Sequence, residues 1–359
     1  MTPRHVGHIW QLDALRGVAA SYVVLYHSNW FRHTKVGAVF SVGPEAVILF
    51  FVLSGFVISY ATENRREPLP FKDYFVRRFL RIFPLFLMAL AAAYAGQCVA
   101  AGTRVPIESG RLLGNILMLQ DVALLKAGTW VDTYKENHAL WSLSYEWWFY
   151  MLFALALVAM RGRRTGQRYV VFVLSLSAAV SYQIVPTFAA LVLAYWFIWW
   201  CGVELSREFQ EHGTVTFRRQ WLGVAGTSAI AAVWAGATAV HLARHRPLVL
   251  GFEPVLELRH FAAAVVVLLA TLAYAARPVA VLNYVLRPFL PIGQLSYALY
   301  ILHQPVLHLP GGSTARLVGL IALLPACYLS ECVAQPWINR LARPSARPGL
   351  PAGTATPAT

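Results

Sequence analysis

Apolar residues run along this chain in stretches of about twenty, the length of helix that crosses the hydrocarbon core of a bilayer. The stretches fall near residues 12–30, 39–60, 80–101, 140–160, 169–185, 187–203, 221–241, 260–276, 290–309 and 315–335. Their period and length predict an all-α fold, a polytopic integral-membrane bundle of about ten transmembrane helices. One transmembrane domain over residues 1–342 is expected. The segment 343–359, rich in Pro, Ala, Gly and Thr without apolar periodicity, reads as a disordered cytoplasmic tail. A single large loop, Gly102 to Ala139, interrupts the pattern and has room for a short interfacial or re-entrant piece near Ile116 to Leu125. Internal repeats are not evident.

Composition supports the same reading and excludes others. Hydrophobic residues make up 58% of the 359 and charged residues 13%, against about 25% charged in a soluble domain. Mean hydropathy is +0.54. The formal charge of +14 does not mark a nucleic-acid partner, which would need a soluble basic face with exposed aromatics. Most of the 30 Lys and Arg residues sit instead in short loops between apolar runs. With the N-terminus inside, 19 of them fall on cytoplasmic segments and 10 on outer segments, leaving Arg16 within the first span. That bias predicts both termini in the cytoplasm. Cys98, Cys201, Cys327 and Cys332 lack metal-ligand spacing and read as free buried thiols, so no metal is expected. The first run contains Asp13, Arg16 and His27 without a small-residue cleavage site, which makes it a retained helix rather than a secretory signal.

Ionisable side chains inside spans cost at least a few kcal/mol each, so each needs a partner or a role. Arg16 and His27 are eleven residues apart, which puts them on one helix face about 16 Å apart along the axis. Asp13 lies within side-chain reach of Arg16. A structural ion pair with a satisfied histidine, or a polar face turned to a site, both fit this pattern. In the fourth span Ser142 and Glu146 share a face at i, i+4, where a carboxylate can orient a histidine or bind a hydroxyl. The surrounding Trp141, Trp147, Trp148 and Tyr150 fit an interfacial belt or a stacking surface. Tyr297, Tyr300 and His303 bring polar tips to the ninth span, where Pro305 removes a backbone donor; His303 is either a substrate contact or a capped structural histidine. Glu45 reads as interfacial. Arg77, Arg78 and Arg81 stand at the mouth of the third span, as positive-inside anchors or as a guanidinium clamp, Arg78 and Arg81 being three apart and suited to phosphate.

Together these segments resemble the acyltransferase type 3 family of integral-membrane enzymes that O-acylate carbohydrates and related hydroxyl compounds. The resemblance covers nearly the whole chain. It rests on Leu12-Asp-Ala-Leu-Arg-Gly with His27 following, on Leu49-Phe-Phe-Val-Leu-Ser-Gly-Phe, and on Arg77-Arg-Phe-Leu-Arg-Ile-Phe-Pro. Trp141-Ser-Leu-Ser-Tyr-Glu and Leu295-Ser-Tyr-Ala-Leu-Tyr-Ile-Leu-His-Gln-Pro-Val complete it. The chain departs from the family's pattern at Ala46-Val47, at Trp147-Trp148, and at Ala334-Gln335-Pro336, where Glu331 lies one turn earlier than the usual glutamate. The soluble extracytoplasmic domain that some members carry is not expected.

The resemblance implies acyl transfer from cytoplasmic acyl-coenzyme A, with acetyl the default, to a hydroxyl on a glycan or glycolipid such as O-antigen or exopolysaccharide. It implies His27 as general base, Arg16 orienting the site or contacting the donor, and Glu146 holding the imidazole or the acceptor. Asp13, Ser142, Ser144, Tyr297 and His303 are expected on the substrate side, and Arg77, Arg78 and Arg81 on the coenzyme's phosphates. The partners expected are acyl-coenzyme A, the acceptor and membrane lipid, with no bound cofactor. A transporter is the alternative, because intramembrane charges and a Pro-interrupted helix also mark transport paths, though no inverted repeat accompanies them. A lipid-linked-sugar transferase would call for acidic metal-binding motifs in a large soluble loop, and none is present.

Overall fold

The computed structural model describes residues 9–30, 43–65 and 69–341. The tail at 343–359, and Arg4, Arg32, Lys35, Arg66, Arg343 and Arg347 of the orientation count, lie outside the described residues. The helices are α1 (Trp10–Ser28), α2 (Gly43–Glu63), α3 (Phe71–Ala101), α4 (Ser109–Ile116), α5 (Trp141–Ala159), α6 (Arg164–Tyr182) and α7 (Phe188–His212). They continue with α8 (Phe217–Ala243), α9 (Val255–Ala276), α10 (Ala280–Leu286), α11 (Leu290–Leu307), α12 (Gly312–Tyr328) and α13 (Gln335–Leu341). Each of the ten expected spans falls on a helix. Eight helical segments among the described residues are long and apolar enough to cross a membrane. The two expected spans that fall short are α1 and α6. α1 carries Asp13, Arg16 and His27, and α6 is amphipathic, its Val170, Val173 and Leu174 exposed while Gln167 and Ser175 are buried.

α7 is the centre of the bundle. It is apolar almost all round, and Tyr195, Trp199 and Trp200 are fully buried, as a helix covered on every side requires. α12 lies at the opposite extreme: Val318, Ile321 and Leu324 face outward, as apolar residues do where lipid is the solvent.

Two close approaches set the helix positions. A Cβ at Gly17 of α1 would strike the Phe289 carbonyl and come within 2.8 Å of the Gly293 nitrogen; one at Gly293 of α11 would strike the Asp13 carbonyl. α1 and α11 therefore meet backbone to backbone, which only glycine permits. Gly55 and Gly202 do the same for α2 and α7. Small residues at such crossings are how membrane helices gain packing without a hydrophobic drive between them.

Interior prolines supply a second device. Pro84 in α3 has no N–H, so the Leu80 carbonyl loses its helical donor, and Gln335 Nε2 donates to it at 3.0 Å. Pro305 in α11 frees the Ile301 carbonyl, which accepts from Asn137 Nδ2 at 3.0 Å. α12 holds Pro325 and runs into a π-helical turn, Leu329–Ala334, before α13.

The loop between α3 and α5 is built, and no helix occupies 117–125. α4 ends at Ile116, and a two-residue parallel ladder pairs β1 (Gln120–Asp121) with β2 (Val131–Asp132). The buried polar residues Gln120 and Asp121 break the apolar run that suggested a re-entrant piece. Asp121 pairs with Lys126 at 3.1 Å and accepts from the Tyr145 hydroxyl at 2.5 Å, and Lys126 lies 3.7 Å from the Trp141 ring centre. At the loop's edge Lys135 donates to Glu108 at 2.7 Å, which holds that carboxyl below the usual glutamate range. Glu45, expected at the interface, is paired with Arg259 at 2.6 Å.

The glycine contact generates a test. Gly293→Val drives a Cβ into the Asp13 backbone, and overpacking of this kind costs about 1–3 kcal/mol or more. The variant in detergent should unfold at a clearly lower temperature than the parent. Gly236→Ala, where nothing lies within 4 Å of the added carbon, should leave the midpoint unchanged or raise it, since alanine is the better helix former by about 1 kcal/mol. Equal midpoints for Gly293→Val and the parent would show that α1 and α11 do not depend on this contact.

Candidate active site

A cavity of about 130 Å³ lies between α1, α2, α3, α5 and α11. The start of α1 contributes Arg16, the start of α3 Arg78 and Arg81, the later half of α2 Ser54 and Ile58, and the start of α11 Ser296 and Tyr297. Ser142, Glu146 and Tyr150 come from α5 at successive i, i+4 positions. The three guanidiniums differ in their partners. Arg81 is bidentate with Glu331 of the π-helical turn, at 2.5 and 3.3 Å, and its guanidinium sits 5.1 Å from the Tyr297 ring centre. Arg16 is 4.0 Å from Asp13. Arg78 has no carboxylate within ion-pair distance among the described residues; its guanidinium lies against the rings of Tyr74 and Tyr150, and its buried Nε is unbonded. Arg77 is exposed and outside the cavity lining, because one residue's turn of about 100° separates it from the face that Arg78 and Arg81 share.

Glu146 is the carboxylate of the cavity wall. Its Oε1 accepts from Ser54 Oγ at 2.6 Å and from the Tyr150 hydroxyl, while Oε2 has no hydrogen bond among the described residues. Trp199 Nε1 steadies Ser54 from α7 at 3.2 Å. Ser142 Oγ lies 2.8 Å from the Tyr300 hydroxyl, and both line the cavity. Tyr297 also lines it, with its hydroxyl donating to the Ile82 carbonyl at 2.9 Å. Ser144 lies elsewhere. Fully buried, it donates toward the Gln120 and Trp141 carbonyls, which ties β1 to α5.

His27 is not in the cavity lining. It sits at the far end of α1, half-buried, and its Nδ1 is 3.0 Å from His303 Nε2 and 3.0 Å from the Val23 carbonyl. Glu146 does not contact this imidazole; the neighbouring ring is His303, fully buried on α11. Tyr300 joins the two places, lining the cavity while its ring centre stands 6.2 Å from that of His303. The residues Gln304 and Pro305 beside His303 hold the loop between α3 and α5: Gln304 Oε1 accepts from the Ala139 amide at 3.1 Å, and the carbonyl that Pro305 frees takes Asn137.

Sequence reasoning assigned three contributors no polar role in the site, leaving Tyr150 between an interfacial belt and a stacking surface. Tyr150 stands four residues after Glu146, a spacing that places it on the same face and could have singled it out. Glu331 was visible only as a glutamate out of its usual place. Ser54 had no signal beyond its small size.

Residues 9–330 match the model of the type 3 acyltransferase domain. "Protein 2 in picA locus" from Rhizobium radiobacter is 34% identical over 177 residues, 47% of this chain and 90% of that protein. "Acyltransferase MdmB" from Streptomyces mycarofaciens is 29% identical over 164 residues, 43% of this chain and 40% of that protein. No solved structure matches the chain. The family match spans α1 to the π-helical turn, taking in every helix that walls the cavity, and the chain belongs to the type 3 acyltransferase family as a membrane acyltransferase.

Proposed function

We propose that this protein moves an acyl group, acetyl by default, from cytoplasmic acyl-coenzyme A to a hydroxyl of a glycan or glycolipid at the membrane. The observation that carries the reading is the cavity of three guanidiniums in which Arg78 has no carboxylate within ion-pair distance among the described residues, with His27 about 16 Å further along the helix that supplies Arg16. A guanidinium without a counter-ion in a partly buried site favours an anion. The three guanidiniums come from the first halves of α1 and α3, which enter from the same side in the ten-span reading. The basic count favours the cytoplasm for that side, where the donor is made.

In this reading Arg78, with Arg81 and Arg16 beside it, receives the coenzyme's phosphates. The pantetheine arm runs past Ser142 and Tyr300 toward His27. The imidazole takes the proton of the acceptor hydroxyl as its oxygen attacks the thioester carbonyl, and returns it to the departing coenzyme sulfur. A carbon–oxygen bond replaces the carbon–sulfur bond, and a histidine's near-neutral basicity suits both transfers. Glu146 offers Oε2 to the substrate side of the cavity. Acceptors in this reading are O-antigen, exopolysaccharide or a related hydroxyl compound in a bacterial cytoplasmic membrane.

Three measurements test it. With purified protein in detergent and acetyl-coenzyme A, His27→Ala should abolish transfer at unchanged membrane abundance, because general-base catalysis is worth about 10²–10⁴-fold. Retention of more than about a tenth of the rate would remove His27 from the base role.

Arg78→Ala should raise the donor KM by about tenfold or more, since a hydrogen bond to a charged group is worth about 1.5–3 kcal/mol. Arg81→Ala should also raise it. That variant leaves the Glu331 carboxylate buried without its partner, so it should lower the unfolding temperature too, and Glu331→Gln in the same chain should recover part of that stability. A donor KM unchanged in Arg78→Ala would return the cluster to a topological role.

Orientation can be read from labelling. In a background without Cys98, Cys201, Cys327 and Cys332, a cysteine at the exposed Thr103 should react with a membrane-impermeant thiol reagent in intact cells. One at the exposed Thr165 should not. Labelling at 165 instead would put the arginines on the side without coenzyme A.

A further inference from the structure

We propose that His303 is the positioning residue of the base: its Nε2 accepts the Nδ1–H of His27, which leaves His27 Nε2 as the free lone pair and steadies the ring when that nitrogen is protonated. The inference rests on the reading of His27 as the base.

The argument runs from the backbone outward. His303 Nδ1 is 2.7 Å from the Tyr300 carbonyl and 3.2 Å from the Leu299 carbonyl. Carbonyl oxygens only accept, so this nitrogen carries the hydrogen. In the neutral ring the other nitrogen, Nε2, then holds a lone pair. It lies 3.0 Å from His27 Nδ1, and the second neighbour of that Nδ1, 3.0 Å away, is the Val23 carbonyl. Both neighbours are acceptors, so His27 Nδ1 is protonated and shares its hydrogen between them. The lone pair of His27 is left on Nε2, which has no hydrogen bond among the described residues.

The Val23 carbonyl already accepts the helical bond from the His27 amide, so it is the weaker holder of the ring. His303 is the stronger. When His27 Nε2 takes the acceptor's proton, the charge spreads to Nδ1–H and its bond to His303 becomes charge-assisted. The proton leaves from the same Nε2 to the coenzyme sulfur, and His303 ends each turnover as it began. Where a serine hydrolase sets its histidine with a carboxylate, a neutral ring does it here, and the membrane interior is spared a further charge.

Two variants separate positioning from packing. His303→Gln can place an amide oxygen near the position of the imidazole Nε2, whereas His303→Met fills similar volume without an acceptor of comparable strength. His303→Met should lower kcat on the order of 10²-fold at unchanged acetyl-coenzyme A KM, while His303→Gln should stay within about tenfold of the parent. Wild-type kcat in His303→Met, or equal losses in the two variants, would overturn the proposal. Independently of activity, nitrogen NMR of the full chain labelled at histidine reads the tautomer, with the His27 signals identified by their loss in His27→Ala. The expected wild-type form carries hydrogen on Nδ1, with mixed tautomers in His303→Met. Hydrogen on Nε2 in the wild type, or an undisturbed tautomer in His303→Met, would overturn it. Should His27→Ala itself transfer acyl groups normally, the base reading falls, and the spectra still report on the histidine pair.

Discussion

The backbone contact between α1 and α11 sets the distance from which the polar geometry of the site is measured. Gly17 and Gly293 meet at the crossing, and ten residues further along each helix His27 meets His303. Equal steps on both helices mean that the two run parallel and stay in register for about 15 Å. In lipid no hydrophobic force draws helices together, so packing this close and hydrogen bonds across the seam must hold them. A side chain at either glycine would widen the seam and take the two imidazoles out of bonding distance.

Charge is distributed along that seam with economy. Glu331 neutralises Arg81 inside the protein, Asp13 stands near Arg16, and Glu146 is held by the hydroxyls of Ser54 and Tyr150. Arg78 is the guanidinium left to aromatic faces. Arg81 and Arg16 thus stand beside carboxylates, whereas Arg78 lies against rings in the same cavity as Glu146. In the proposed reading an incoming anion meets Arg78 first, with Arg81 held in place by Glu331.

Much of the architecture could be read in the sequence because lipid imposes a simple rule: a crossing helix needs about twenty apolar residues. All ten runs became helices. Where function thins that signal the rule weakens, and α1 and α6 lack the apolarity of the others. The candidate residues also sorted by geometry that periodicity cannot supply. A helical period puts Arg16 and His27 on one face, yet only the neighbouring helices decide that one lines the cavity and the other pairs with His303. Ser144 and Ser142 sit two residues apart in one motif, and the pleat of contacts around α5 sends the first to the Gln120 carbonyl and the second to Tyr300. Glu331 and Arg81 are 250 residues apart, a separation across which local pattern carries no information.

The carbonyl that Pro305 leaves open has a further consequence. In an ordinary helix a carbonyl bonded to a neighbour still has its own amide waiting, so the external bond can exchange with an internal one as the chain fluctuates. Ile301 has no such alternative, because the residue four positions on carries no hydrogen to offer. Its bond to Asn137 therefore faces no rival within α11, and breaking it exposes a bare acceptor away from water. The loop between α3 and α5 and the helix that bears His303 are for this reason joined by a bond with no substitute inside the helix. Pulling the loop away at this point leaves the carbonyl unsatisfied, at a cost of about 1–3 kcal/mol.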